Sequence, residues 1–283
     1  MDTQTIINVH THIHRTQDVD ERVRLWRECG VVKVCVQSLS IQGSERTCGN
    51  DEVLQWARKH PDLILAFALP KLGWDVDVPD TIDRFKEQGF TGLKFIAPSY
   101  AYDDERYFPL YERAEQLGMP ILFHTGFLSV GPGQRERGIS QEKMRALRLD
   151  TIGRAFPGLR MMMAHLGNPQ FDVGLNVTSE FPNIWGEYSG ASGSKYRETA
   201  LRRLFAPLPG ADMADPEENF ALRYFPKLCF ATDNPDPPRW IALNRRLMDW
   251  LQLPDGLQQD FWHRNAARWL GIEEREKAAN TEC

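Results

Sequence analysis

The fold is decided by residues 89–126, which read GFTGLKFIAPSYAYDDERYFPLYERAEQLGMPILFHTG. Two short apolar runs, residues 92–98 and 121–126, flank a helix-like stretch that begins after Asp104 and stops at Gly118. Neither run alternates polar with apolar residues, and continuous apolar runs are typical of parallel strands that are covered on both faces. This stretch therefore predicts one strand–helix–strand unit.

The same pattern continues along the chain in both directions. The strand candidates alternate with helix-like segments and lie at residues 6–12, 31–38, 63–70, 92–98, 121–126, 161–167, 184–190 and 228–235. Such an alternation predicts either a closed (β/α)8 barrel or a doubly wound sheet. The G-x-G-x-x-G turn of a dinucleotide-binding sheet is absent after the first strand. We therefore expect an α/β fold, a single-domain (β/α)8 TIM barrel over residues 1–283, with a charged tail at 273–283.

Composition excludes several function classes. The chain has 34 Lys+Arg against 39 Asp+Glu, a net charge of −5, so it offers no basic stripe for binding nucleic acid. No apolar run approaches the ~20 residues that span a bilayer, and the N-terminus lacks the pattern of a secretory signal. The five cysteines form no CxxC pair and predict reduced thiols. We expect a cytoplasmic protein with a small-molecule substrate, and the eight tryptophans leave room for a homo-oligomer.

Five side chains that can bind a metal or move a proton stand at or near the C-terminal ends of predicted strands. His10 and His12 share one face of the first strand, and two neighbouring imidazoles can chelate a divalent ion at ~2.0–2.1 Å each. His124 and His165 end the fifth and sixth strands, and Asp233 ends the eighth. Each alone could be an ordinary buried polar residue. Together they predict a site, because burying five such groups is costly unless a metal or a hydrogen-bond network compensates.

The ordered motifs also resemble a known family. They are HTH at 10–12, GLKF at 92–95, FHTG at 123–126, AHLG at 164–167 and ATD at 231–233. This set resembles the amidohydrolase superfamily, in its amidohydrolase-related branch of metal-dependent TIM-barrel hydrolases and decarboxylases. The resemblance covers nearly the whole chain, including the closing helix-like NAARWLGI at 265–272. Asn8 departs from it, since the branch often has Asp two residues before HxH, and this removes a charge near the site.

The resemblance implies a role for each of these residues. In members with one metal, it implies four ligands: His10, His12, His124 and Asp233. His165 would then be the acid–base or substrate-polarising group. Ligation by several histidines and one carboxylate favours Zn²⁺, with Mn²⁺, Fe²⁺ and Co²⁺ as alternatives. We expect one ion rather than two.

Lys94 and Glu187 have alternative interpretations. In members with two metals, a lysine on the fourth strand is carbamylated and bridges the ions, the second of which binds the counterparts of His124 and His165. Lys94 occupies that strand, but it could equally bond an inner carboxylate or contact the substrate. Glu187 on the seventh strand could hold an imidazole in one tautomer, or it could pair with Lys94.

Candidate substrate contacts follow the fourth and fifth strands. Arg135 and Arg137 lie in the loop of residues 127–139, where a guanidinium could bind a substrate carboxylate, although solvated loop charges explain them as well. Tyr100 and Tyr102 could form a wall for an apolar or aromatic substrate, or they could simply pack the loop.

The leading functional hypothesis is metal-assisted hydrolysis of a lactone, ester or amide, with Asp233 as the general base. The alternative within the family is nonoxidative decarboxylation of an aromatic or dienoic acid. A barrel that binds a metal or ligand without turnover is a remoter alternative. Some relatives hydrolyse lactones without a metal, so metal dependence is itself a hypothesis.

Overall fold

A parallel sheet of seven strands in sequential order organises the chain. The computed structural model describes residues 5–39, 47–72, 79–128, 140–190, 197–234 and 237–272. The strands are β1 Ile6–Thr11, β2 Val31–Gln37, β3 Ile64–Ala68, β4 Gly92–Phe95, β5 Ile121–Gly126, β6 Met161–Asn168 and β7 Ile184–Gly186. Every neighbouring pair is parallel, as the continuous apolar runs predicted.

Helices connect most of the successive strands. They are α1 Val19–Glu28, α2 Asn50–Lys59, α3 Pro79–Gln88, α4 Phe108–Gln116, α5 Arg148–Ala155, α6 Phe171–Glu180, α7 Arg197–Leu204, α8 Ala221–Tyr224, α9 Pro237–Trp250, α10 Asp255–Gln259 and α11 Asn265–Leu270. α1 shows why such segments are helical. Asp18 caps its first backbone N–H groups, and the buried Val23 and Trp26 lie three residues apart on one face. None of the described helices is long and apolar enough to cross a membrane.

The apolar residues form two clusters. The larger one lies between the strands and the surrounding helices. The smaller one combines side chains from the other face of the strands with residues of α11. Trp269 of α11 stacks on Phe67 of β3 with ring centroids 5.3 Å apart. This smaller cluster fills the inner side of the sheet with packed side chains rather than open space.

The predicted eighth strand at residues 228–235 is not a strand in the part of the chain that the structure describes. Two isolated bridges join this segment to the sheet, Gly186 with Leu228 and Thr11 with Asp233. Its backbone reaches both edge strands, because Cys229 donates to Gly186 O at 2.9 Å and Thr232 donates to His10 O at 3.1 Å. The segment thus completes a ladder with neither strand. One reason is that Asp233, with φ of +55°, leaves the extended conformation that a ladder requires.

Candidate metal centre

A bulge in β1 directs His10 toward the inner side of the sheet. Asn8 pairs with Val34 and Thr11 pairs with Val36, so β1 fits one extra residue between these pairs. Val9 belongs to the inner cluster, and without the bulge His10 would point the opposite way. Bulges next to functional sites commonly redirect a side chain in this manner.

A second irregularity places His165. Residues 124–126 of β5 pair with residues 164–168 of β6, so β6 carries additional residues. His165 has φ of +64° and Leu166 has φ of +45°, both in the left-handed region that non-glycine residues rarely adopt. Each such residue costs about 1–3 kcal/mol and persists only where its surroundings hold it. Here the His165 N–H donates to Glu187 Oε1 at 3.2 Å, which fixes that backbone.

The nitrogen His10 Nε2 is the meeting point of the cluster. It lies 3.1 Å from His12 Nε2, 3.2 Å from Lys94 Nζ and 3.7 Å from Asp233 Oδ1. Asp233 Oδ1 is also 3.5 Å from His12 Nε2. All four residues are buried, and Lys94 is completely inaccessible to solvent. Side chains from β1, from the residue that follows it, from β4 and from the segment after β7 thus converge within hydrogen-bonding or ligating distance.

Hydrogen bonds on the far side of three rings define the imidazole tautomers. The Nδ1 atoms of His10, His12 and His165 each lie against an oxygen that can only accept. These oxygens are Glu187 Oε1 at 2.8 Å, Gln37 O at 3.0 Å and Ser189 O at 2.6 Å, respectively. A neutral ring that donates from Nδ1 keeps a lone pair on Nε2. All three rings therefore present Nε2 as a ligand or as a proton acceptor.

Burial keeps the rings of His10, His12 and His124 neutral. It lowers the pKa values of His10 and His124 well below the ordinary value, and it lowers that of His12 to about 4. Burial also lowers the pKa of Lys94 to about 8, against the opposing charges of Asp233 and Glu187.

Asp233 remains ionised despite its surroundings. Burial alone would raise the pKa of its carboxyl, but the positive charge that His10, His165 and His12 carry when they are protonated lowers that pKa below its ordinary value. The site therefore combines neutral imidazoles with an ionised carboxylate at neutral pH.

These residues fit a divalent cation. His10, His12 and Asp233 offer ligand atoms within 4.8 Å of one another, and a separation of 3.1 Å lets both nitrogens bind one ion at ~2.0–2.1 Å. The buried His124 Nε2 has no hydrogen-bond partner among the described residues, and its ring lies 4.8 Å from that of His165. A buried nitrogen without a partner is costly, and ligation of an ion would compensate for it.

Glu187 could also complete a ligand group with His10 and His165. In that group, however, the Nδ1 atom of His10 already donates to the carboxylate. The first group therefore fits an ion better, because its Nε2 atoms do not donate to a carboxylate, although Lys94 Nζ lies 3.2 Å from His10 Nε2.

The predicted substrate contacts have different positions. Tyr102 is buried, and its hydroxyl lies 3.0 Å from Phe95 O and 3.1 Å from His124 O, so it holds β4 against β5 rather than walling a substrate. Tyr100 is partly exposed and is covered by the guanidinium of Arg106, 3.3 Å from its ring centroid. Arg135 and Arg137 lie outside the described residues.

Sequence reasoning missed two groups that orient the histidines. They are the backbone carbonyls of Gln37 and Ser189, which accept from His12 and His165. Any residue type supplies a carbonyl, so no side-chain pattern could have identified them. The sequence indicated that Asn8 removes a charge that the family often has near the site. The structure places it between β1 and the segment before Asp233, where its amide donates to Thr232 Oγ1 at 2.9 Å.

Comparison with known proteins identifies the family of this chain. A family model described as amidohydrolase matches residues 9–272. The chain belongs to the amidohydrolase family. The resemblance carried by the five sequence motifs is thereby confirmed. No match was found among curated proteins.

Several solved structures share the amidohydrolase fold seen here. An uncharacterized TIM-barrel protein from Bordetella bronchiseptica has a TM-score of 0.63 and 15% identity, covering 94% of this chain and 98% of that one. A probable 2-pyrone-4,6-dicarboxylic acid hydrolase from Acinetobacter baumannii has a TM-score of 0.62 and 14% identity, covering 94% and 99%. A 2,6-dihydroxybenzoate decarboxylase from Rhizobium has a TM-score of 0.63 and 16% identity, covering 95% and 99%. At identities of 14–16%, the similarity extends to the fold and not to the reaction or the substrate.

Proposed function

We propose that this amidohydrolase is a metal-dependent hydrolase of a small carbonyl substrate, a lactone, ester or amide. One observation carries the proposal: Asp233 Oδ1 lies 3.5 Å from His12 Nε2 and 3.7 Å from His10 Nε2. A buried, ionised carboxylate thus faces the two nitrogens best placed to hold an ion. This arrangement puts a proton acceptor directly beside a metal site.

The residues that would hold the ion are His10, His12 and Asp233, with His124 as a further ligand. When bound, a divalent ion, with Zn²⁺ the first candidate, supplies an activated water and polarises the substrate carbonyl. Lys94 lies 3.2 Å from His10 Nε2, so it contacts the same site from β4. We retain one ion as the proposed stoichiometry.

Asp233 moves the proton. Its carboxylate accepts a proton from the attacking water and delivers it to the leaving oxygen or nitrogen. His165 assists as an acceptor, because its own proton is held on Nδ1 by Ser189 O and its Nε2 carries a lone pair. Polarising a carbonyl by donation, the other role considered for His165, would require the doubly protonated ring.

The proposal includes closure of the (β/α)8 barrel through residues 228–233. Asp233 is carried by this segment, and the segment is hydrogen-bonded to Gly186 at one edge of the sheet and to His10 at the other. Closure at this point holds the carboxylate beside His10 of β1 and beside His12, which follows that strand.

Nonoxidative decarboxylation is the second candidate. It is favoured by Lys94, a fully buried amine beside the ligand nitrogens whose pKa of about 8 keeps it cationic at neutral pH. A buried cation suits a substrate that carries a carboxylate. In this case Lys94, rather than an arginine, would bind the substrate carboxylate.

A single assay series tests the two candidates. The Zn²⁺-loaded protein is incubated with a panel of lactones, esters, amides and carboxylated phenols, and released acid and CO₂ are measured separately. We expect new acid without CO₂. Release of CO₂ without new acid would replace hydrolysis by decarboxylation, and neither product across the panel would contradict both.

A further inference from the structure

Glu187 makes an unusual set of contacts for a carboxylate that follows directly after a strand. It is completely buried, and its Oε1 lies 2.8 Å from His10 Nδ1 and 3.2 Å from the backbone nitrogen of His165. Its Oε2 accepts from the backbone N–H of Ser189. Both oxygens therefore accept hydrogen bonds. The donors are the ring of His10, the backbone N–H of His165 and the backbone N–H of Ser189.

The Ser189 contact extends the reach of Glu187 to the His165 ring. The carbonyl of Ser189 accepts from His165 Nδ1 at 2.6 Å. The same residue is anchored through its N–H by Glu187 Oε2. Glu187 thus holds His165 twice, through its backbone N–H directly and through its ring by way of Ser189.

We propose that Glu187 is a positioning residue that fixes the proton on Nδ1 of both His10 and His165. It would thereby present the Nε2 lone pairs of a metal ligand and of the proton-accepting histidine at the same time. A carboxylate on the far side of a ligating imidazole fixes its tautomer and raises the basicity of its other nitrogen. The inference rests on the proposed function for the role of His165, but the tautomers themselves do not depend on it.

Two other roles for Glu187 explain the contacts less well. As a metal ligand it would have to release His10 Nδ1, which it contacts at 2.8 Å. As an ion-pair partner of Lys94 it would turn an oxygen toward Nζ, whereas Nζ lies 3.2 Å from His10 Nε2, on the opposite side of that ring. The geometry therefore indicates that Glu187 positions His10 and His165.

Glu187→Gln tests the proposal with little change in shape. One oxygen becomes an NH₂ group, which must face a donor in either orientation: His10 Nδ1–H and His165 N–H on one side, or Ser189 N–H on the other. We expect the dissociation constant for Zn²⁺, measured by competition with a chromophoric chelator, to rise by about 10- to 100-fold. A value within twofold of wild type would overturn the proposal.

Tyr188→Phe is the matched control. Tyr188 is the next residue, is also buried, and its hydroxyl bonds Asn244 Oδ1 at 2.7 Å. The control therefore removes the hydrogen bond to Asn244 from the adjacent position and leaves the histidine contacts of Glu187 in place. We expect it to lower the melting temperature while leaving the Zn²⁺ dissociation constant within twofold of wild type. Equal weakening in both variants would show a merely structural role for Glu187.

A second measurement needs no substrate. Long-range ¹H–¹⁵N spectra of the wild-type protein with ¹⁵N-labelled histidine report which ring nitrogen carries the proton. We expect Nδ1–H for both His10 and His165, and a loss of that preference at His10 in Glu187→Gln. A proton on Nε2 of His10 in the wild type would overturn the proposal. Absence of hydrolase activity alongside the expected tautomers would contradict only the proposed function.

Discussion

The Nε2 atoms of His10 and His12 face each other at 3.1 Å, and neither carries a proton, since both rings donate from Nδ1. Two lone pairs at hydrogen-bonding distance repel each other unless a cation lies between or beside them. Lys94 contacts one of the two nitrogens at 3.2 Å, and Asp233 supplies the negative charge nearby. This relationship, more than the number of histidines, makes the site a candidate for a divalent ion.

The first prediction concerns metal content. Protein purified without chelator should contain about one equivalent of a divalent ion, and His12→Asn should lose most of it because a facing Nε2 ligand is removed. An ion that binds only the folded state stabilises it by about 2.7 kcal/mol at 100 times its dissociation constant, so chelation should lower the melting temperature. Elemental analysis and thermal unfolding provide the measurements.

Two measurements together would contradict a catalytic role for the metal. Less than about 0.2 equivalents of any divalent ion in the wild type, together with activity that a chelator does not change, would contradict a catalytic metal. His263→Asn is a suitable control, because His263 lies on the helical turn Asp260–Arg264 and belongs to neither candidate ligand group. It should leave the metal content unchanged.

The second prediction concerns the attachment of the segment before Asp233. Asn8 donates to Thr232 Oγ1 at 2.9 Å and accepts from Thr232 N at 3.2 Å, both buried. Asn8→Ala removes both bonds; Thr232 N still donates to His10 O, but the buried Thr232 hydroxyl loses its donor, which should lower the free energy of unfolding by about 1–3 kcal/mol. Asn8→Asp should cost less, since its carboxylate still accepts from Thr232 and the threonine hydroxyl can rotate to donate.

Urea denaturation of the two Asn8 variants checks this order. If Asn8→Ala were as stable as the wild type, the contacts would not hold the segment, and the proposed closure of the barrel through residues 228–233 would lose its main local support.

Much of this architecture was accessible from the sequence, for identifiable reasons. Continuous apolar runs predicted the seven parallel strands that the structure contains, because a strand that is buried on both faces is apolar at successive positions. Strand parity correctly placed His10 and His12 on one face. Parity could not predict the bulge that turns His10 inward beside Val9, since a bulge inserts a residue without any characteristic side chain.

The errors and omissions also have physical causes. The eighth run is apolar, as a strand should be, but Asn8 and Asp233 divert its hydrogen bonds from a regular ladder. The orientation of His165 depends on a left-handed backbone and on the carbonyl of Ser189, neither of which the sequence displays. Glu187 was assigned alternative roles because the seventh strand alone does not say which neighbour it meets.

The third prediction uses Lys227, which lies away from the candidate site. Its Nζ donates to Pro182 O at 2.8 Å and lies 4.3 Å from the ring centroid of Trp185. Burial lowers the pKa of Lys227 from 10.5 to about 8. The unfolded chain therefore binds more protons than the folded one between about pH 8 and 10.5, so this residue adds stability as the pH rises through that window.

Comparison with Lys227→Met isolates that contribution. The free energy of unfolding of the wild type minus that of the variant should increase between pH 8 and 10.5, because titrations common to both proteins cancel in the difference. Denaturation curves at four or five pH values measure it. A difference that stays constant or falls with pH would show that the ammonium of Lys227 is as well solvated in the folded protein as in the unfolded chain.

The last prediction concerns Asp233, the proposed base. Asp233→Asn removes the proton acceptor with almost no change in shape, and Asn is one of the few residue types that readily adopt the φ of +55° found here. The variant should fold like the wild type and lower kcat by at least about 100-fold, the lower end for the loss of a general base. Steady-state kinetics on a substrate from the panel, with metal content measured alongside, provide the test.

Metal content separates the two roles of the Asp233 carboxylate. If Asp233→Asn keeps its ion and loses turnover, the residue acts chiefly as the base; if it loses both, ligation dominates. Asp103→Asn is the matched control, because Asp103 pairs with Arg148 at 3.0 Å outside the histidine cluster and should retain kcat within twofold. Turnover by Asp233→Asn within a few-fold of wild type would contradict the assignment of the base. It would also contradict hydrolysis as proposed, since no other described carboxylate lies within 4 Å of the Nε2 atoms of His10 and His12.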